Sequence, residues 1–163
     1  MTRVYFRVEG MDELEKSLKR LGKVPQKHVT SASRKGMNIV LKQAKGNAPV
    51  GDTGNLKKGI KMVGERSRQK GKKVYRIVFD RNMNHIFQKP VKNPGESGSP
   101  NAKDPAYYPV SQEYGYFARN GRYIPGFRFV RGAFENKMPE AAKTMVSTMK
   151  KKIDQEIAKA GLK

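Results

Sequence analysis

Three observations predict an α+β fold. Two long amphipathic stretches, running from Pro25 to about Gly46 and from Phe134 to Ile157, space their apolar residues at helical intervals. Between them, Tyr75, Ile77 and Phe79 alternate with Val74, Arg76 and Val78, which is the period of a strand. Five prolines, at 90, 94, 100, 105 and 109, then interrupt every periodicity. The chain has 163 residues, the size of one domain, and a domain of about 150 residues buries roughly 68–70% of its unfolded surface. The expectation is a single domain over 1–163. It has a small, mostly antiparallel sheet packed by two or three helices, a long C-terminal helix and a long flexible loop at 89–107.

Taken in order, VYFRV (Val4 to Val8) reads as a short strand ended by Gly10. MDELEKSLKRLGK then spaces Leu14, Leu18 and Leu21 helically, between Asp12 and Gly22. Pro25 suits the first turn of the next helix. Val29, Ala32, Met37, Val40 and Ala44 fall on one face of it, and Lys27, Arg34, Lys35, Lys42 and Lys45 on the other. That helix has no acidic residue, so packing must hold it rather than i,i+4 ion pairs. Pro49 and Gly51 break it. Leu56 to Val63 and Val74 to Phe79 are expected to pair as a long-looped hairpin. Residues 89–107 form a loop of a length that is usually functional or disordered. Tyr108 to Tyr116 has strand-like composition, and PGFRFVRGAF follows it. A helix then carries Phe134, Met138, Ala141, Met145, Met149, Ile153 and Ile157 on one face, and its extreme C-terminus is expected to be disordered.

Composition excludes whole classes of chemistry. There is no cysteine, hence no disulfide, thiolate nucleophile or cysteine-bound zinc. No run of 18 apolar residues suggests a membrane span, and MTRVYFRVEG lacks the apolar core of a signal peptide. The net charge is +21. Residues 25–76 contribute fourteen basic and two acidic side chains to it, and residues 57–76 alone carry nine basic groups and one Glu. Such a run is ordinarily a solvated face. The competing reading is a surface for anions or nucleic acid, using Lys57, Lys58, Lys61, Arg66, Arg68, Lys70, Lys72 and Lys73.

Candidate catalytic groups are sparse. Gly46 to Thr53 fits the spacing of a phosphate loop, but Asp52 stands where that loop needs Lys, and the segment follows a helix and is expected to open a strand. Pro49, Gly51 and Gly54 read as turn residues instead. His28 and His85 are too few for a metal set and are expected to be solvated or half-buried. An acid–base pair of the kind found in basic ribonucleases has no supporting spacing. Glu113 is the one acid among residues 108–134; it suits a cap or an arginine partner better than a lone general base. Tyr107, Tyr108, Tyr114, Tyr116, Phe117 and Tyr123, interleaved with Arg119, Arg122, Arg128 and Arg131, suit stacking on bases or an intersubunit surface. The second reading is preferred.

Three ordered motifs resemble the tail-completion, or head–tail joining, family of tailed phages and defective prophages. They are Ala48-Pro49-Val50 with Thr53-Gly54-x-Leu56-Lys57-x-x-Ile60; Tyr108 with Glu113-Tyr114-Gly115; and Pro125 with Phe127-x-Phe129-Val130-Arg131-x-Ala133-Phe134. Pro109, Gly132 and Val130 depart from the family pattern. The resemblance implies a non-enzymatic α+β virion protein without cofactor or metal. It would act in the neck as a ring subunit, commonly one of six, between the tail terminator and the head-side stopper, with DNA passing through the lumen. Its place would be the virion, after assembly in the host cytoplasm. Pro49, Thr53, Gly54 and Leu56, then Glu113 and Gly115, then Phe129 and Ala133 would fix turns and dock the last helix. A sequence-independent nucleic-acid-binding protein using residues 57–76 is the alternative.

Overall fold

The computed structural model describes residues 26–69, 71–89, 106–118 and 120–159. The expected strand at 4–8, the helix around 11–23, nearly all of the 89–107 loop and the extreme C-terminus lie outside these residues. The described elements are α1 (Gln26–Asn47), α2 (Asn55–Gly59), β1 (Ile60–Gly64), β2 (Tyr75–Phe79), a 3-10 turn (Arg81–Met83), α3 (Asn84–Phe87), β3 (Gln88–Lys89), β4 (Ala106–Tyr107), α4 (Tyr108–Tyr114), β5 (Gly115–Phe117), β6 (Tyr123–Pro125) and α5 (Phe129–Lys159). This is an α+β fold with a long C-terminal helix. Its strands form three two-stranded pairs, β1 with β2, β3 with β4 and β5 with β6.

The chain forms two compact units. Among the described residues, one comprises 26–39, 64–69, 71–75 and 138–159; the other comprises 40–63, 76–89, 106–118 and 120–137.

On α1, His28, Ala32, Gly36, Val40 and Ala44 are buried at every fourth position, while Lys27, Arg34, Lys35 and Lys42 are exposed. Ala32, Gly36 and Ala44 on this ridge are small, and at Gly36 neighbouring backbone comes close. In the first unit, a Cβ on Gly36 would lie 2.5 Å from Met145 Cγ and 2.7 Å from the Ala141 carbonyl oxygen on α5. His28 is buried rather than solvated or half-buried, and its Nε2 lies 3.1 Å from Glu156 Oε1. The Tyr75 hydroxyl donates to the Thr30 carbonyl at 3.3 Å.

In the second unit Ala48, Leu56, Ile60 and Phe129 form a buried cluster, joined by Leu41, Ile77, Phe79, Tyr108 and Val130. Phe79 meets Phe87, Tyr107 and Phe129 edge-on, with centroids 6.1, 6.4 and 6.2 Å away, the arrangement that the ring quadrupoles favour. Burying one such side chain is worth roughly 1.5–3 kcal/mol.

Three expectations about elements are corrected. Residues 56–59 are helical, not the start of a strand. Gly54 adopts φ +60, and Lys58 N–H bonds the Gly54 carbonyl at 3.2 Å. One helical turn places Leu56 and Ile60 together on the core and leaves Lys57 and Lys58 in water; strand alternation would have carried Lys58 inward with them. Tyr108–Tyr114 is helical as well. Pro109 sits in its first turn, where the missing N–H costs nothing, and Gly115 at φ 92 ends it by donating its N–H to the Ser111 carbonyl. Finally, α5 begins at Phe129 rather than Phe134.

β1 and β2 run antiparallel. Glu65 N–H bonds the Val74 carbonyl at 2.9 Å at one end, and Asp80 N–H bonds the Gly59 carbonyl at 2.8 Å at the other. Lys61 pairs with Asp80 beside this ladder. The Lys61 hydrogen bond, followed by the Asn82 N–H, holds the Asp80 carboxyl below its ordinary 3.8. A carboxylate with a depressed folded-state pKa contributes stability above its ordinary value and loses it as the pH falls through the lower, folded value. Lys61→Gln should therefore move the Asp80 carboxyl titration upward, followed by its carboxyl carbon resonance; an unmoved titration would show that Lys61 does not hold it down.

Candidate docking surfaces

The first motif builds the bend between α1 and α2. Ala48 N–H closes the last turn of α1 on Ala44 at 3.0 Å, and Pro49 stops it. Gly54 N–H bonds the Gly51 carbonyl at 3.0 Å. Thr53 is exposed; its carbonyl accepts from Lys58 Nζ at 3.1 Å. Leu56 then enters the core. Gly46 to Thr53 thus opens a helix of five residues rather than a strand, but it still follows a helix, and exposed Asp52 holds the lysine position. The segment is a turn, not a phosphate cradle.

The second and third motifs are two halves of one device. A helix start leaves N–H groups without intrahelical acceptors. The residue before α5, Arg128, lies at φ 48, and the acceptor comes from elsewhere. Glu113, on α4 and only 5% exposed, accepts from Val130 N–H and Arg131 N–H through its two carboxylate oxygens, each at 2.9 Å. The negative charge also faces the positive end of the helix dipole. Backbone bonds lock the same frame: Phe127 N–H to Gln112 O at 2.8 Å and Arg128 N–H to Glu113 O at 3.0 Å. Glycine is required at two points here. A Cβ on Gly115 would strike the Ile124 carbonyl, and one on Gly126 the Glu113 carbonyl. Phe129 and Ala133, both buried, follow on the capped helix.

This frame carries the β5–β6 hairpin, whose register pairs Gly115 with Pro125, Tyr116 with Ile124 and Phe117 with Tyr123. Tyr123 Oη donates to the Tyr114 carbonyl at 2.5 Å, and the Phe117 and Tyr123 rings lie 5.3 Å apart. Tyr114, Tyr116, Phe117, Tyr123, Ile124 and Phe127 are nevertheless exposed; Phe117, Phe127 and Tyr114 are 68, 64 and 63% accessible. Arg122 and Arg128 are exposed among them, and no acid occurs between Tyr114 and Phe134. These six apolar side chains are concentrated within fourteen residues of the hairpin and its flanks.

The basic candidates divide between the units. Lys57, Lys58 and Lys61 are exposed in the second unit, where Lys58 and Lys61 already have partners in Thr53 and Asp80. Arg66, Arg68 and Lys72 are exposed in the first unit, and Lys73 is half-buried; Lys70 lies outside the described residues. Sequence reasoning missed Gln26, whose amide donates to the Lys72 carbonyl at 3.1 Å and accepts from Gly71 N–H at 2.8 Å. A contact between residues 45 positions apart leaves no local pattern. It missed Ile124 because a strand of three residues shows no alternation.

His85 lies exposed on α3, in line with the expected solvated position. Among the described residues no group of three or more His, Asp or Glu side chains could hold a metal ion. No described helix is long and apolar enough to cross a membrane.

Residues 12–86 match the model of the HK97-gp10-like family, described as "Bacteriophage HK97-gp10, putative tail-component". The matched stretch contains the first motif, with Pro49, Thr53, Gly54 and Leu56, and agrees with the resemblance to a phage tail family. The motifs around Glu113 and Phe129 lie beyond it. No curated protein and no solved structure matches the chain.

Proposed function

We propose, from the phage tail-component match over residues 12–86, that this protein is a structural subunit of the phage neck that joins tail to head connector. The observation that carries the reading is the exposed aromatic hairpin of residues 114–127 on its Glu113-capped frame. Six apolar side chains in water cost free energy that a partner surface removes. The partner is an acidic face of a neighbouring neck protein, the tail terminator or the head-side stopper. Arg122 and Arg128 stand among the aromatics without an acid nearby in sequence, and a chain of charge +21 repels a second basic surface. Copies of the chain close into a ring, six in number, only once such partners neutralise them. The protein is then a virion part assembled in the host cytoplasm, working by contact rather than by turnover.

The test is genetic. Removing the gene from a phage should leave heads and tails that do not join, and the wild-type gene should restore infectious particles. A Tyr116→Ser/Phe117→Ser/Phe127→Ser variant should fold, as circular dichroism reads it, and fail to restore joining by at least tenfold in titre. Normal particles after deletion overturn the function. Full rescue by the folded variant overturns the assignment of the hairpin.

A further inference from the structure

We propose that Arg66, Arg68 and Lys72, in the described part of the loop between β1 and β2, bind the phosphate backbone of duplex DNA. The inference rests on the first unit alone and stands apart from the assembly reading. Polar contacts tie the described residues of the loop, 65–69 and 71–74, to one another and to α1. Ser67 Oγ donates to the Lys72 carbonyl at 2.9 Å, Lys73 Nζ to the Glu65 carbonyl at 2.5 Å, and Gln26 clasps Gly71 and Lys72 from α1. Lys73 is spent on this work; its ammonium also lies 5.6 Å from the centre of the Tyr75 ring.

Arg66, Arg68 and Lys72 are left pointing to water, with no acidic partner among the described residues. They line an open concavity of about 480 Å³ with Ser67, Gln69, Val74 and one half-buried carboxylate, Glu65. Three cations outnumber that single acid. Two of them are guanidinium forks, which meet phosphate oxygens two at a time. Gln69 adds a neutral donor, while the Ser67 hydroxyl is already given to the Lys72 carbonyl.

The loop is also unlike a protein-docking surface. Its exposed members are Arg, Ser, Gln, Gly and Lys, with no exposed aromatic or aliphatic side chain among those described. Protein interfaces have an apolar, aromatic centre, and the hairpin of the second unit has one while this loop does not. Cationic forks without an apolar centre fit a polyanion whose charge repeats regularly, and they read no base sequence.

The experiment uses the full chain and a 30-base-pair duplex of arbitrary sequence, with affinity measured between 50 and 200 mM salt. Neutralising three phosphate contacts makes the slope of log affinity against log salt shallower by about 2.7. Arg66→Gln/Arg68→Gln/Lys72→Gln should show that change and bind more than about tenfold more weakly at 50 mM. Lys42→Gln/Lys57→Gln/Arg81→Gln removes the same charge from exposed positions of the other unit and should change binding far less. Gln26→Ala keeps every charge and only opens the clasp; it should weaken binding about three- to tenfold. Equal losses from the two triple variants would mean diffuse attraction and overturn the proposal. So would displacement of the DNA by poly-glutamate as effectively as by unlabelled duplex, which would mark the loop as a site for acidic protein. A loss of DNA binding on changing the loop, with head–tail joining intact, would separate the two readings.

Discussion

Glu113→Ala should destabilise the second unit by about 3–4 kcal/mol, a large share of the roughly 5–15 kcal/mol that holds a domain together. The carboxylate is 5% exposed and accepts two backbone N–H groups at 2.9 Å. Hydrogen bonds to a charged group are worth about 1.5–3 kcal/mol each, and alanine leaves both donors without an acceptor. Losing an ordinary N-cap costs about 1 kcal/mol. The excess expected here comes from burial and from using both oxygens. Arg128, in its left-handed conformation, supplies no substitute. Glu113→Gln keeps one acceptor oxygen and should lose roughly half as much. Urea midpoints measure the effect, and the near-ultraviolet dichroism of the tyrosines reports whether the hairpin loosens with it. A Glu113→Ala midpoint matching the wild type would show that water caps α5 equally well.

Gly36→Leu should cost the first unit about 3 kcal/mol. The position faces Met145 and the Ala141 carbonyl at distances that leave no room for even a first carbon. A methionine side chain can shift, but a helix backbone can only move as a whole. The sign of Gly36→Ala decides between packing and propensity. Alanine gains up to about 1 kcal/mol over glycine in a helix, so at Gly46, where a Cβ meets nothing within 4 Å, the exchange should stabilise or be neutral. At Gly36 it should destabilise by about 1–2 kcal/mol, because the clash exceeds the gain. Thermal midpoints of the pair settle this; a stabilising Gly36→Ala would mean that α1 and α5 are less tightly seated than the geometry shows.

What could be read from the sequence was what repeats. α1 runs six turns, and its buried and charged faces agree with the 3.6-residue pattern; β2 alternates; the Met- and Ala-bearing face of α5 includes the buried Ala141 and Met149. What could not be read was short or held from afar. α2 and α4, of five and seven residues, are too brief for a period to emerge. The strand-like composition of Tyr108 to Tyr116 outweighed Pro109, whose place in a first turn was the available sign. Phe127-Arg-Phe129-Val-Arg131 alternates like a strand, yet α5 starts inside it. Its first turn is stabilised by a carboxylate seventeen residues upstream of Val130, beyond any local window. The same contact joins the second and third motifs: one provides the acceptor and the other the donors.

The lysine-studded helix α1, with no acid of its own, has a consequence for handling the isolated protein. Its cations repel one another and the rest of a strongly basic chain. Dissolved ions shorten the reach of that repulsion to a few ångströms near molar concentration. The free polypeptide should therefore be sturdier in brine than in dilute buffer, the reverse of a protein held by surface ion pairs, and desalting is the step at which it is most exposed to unfolding.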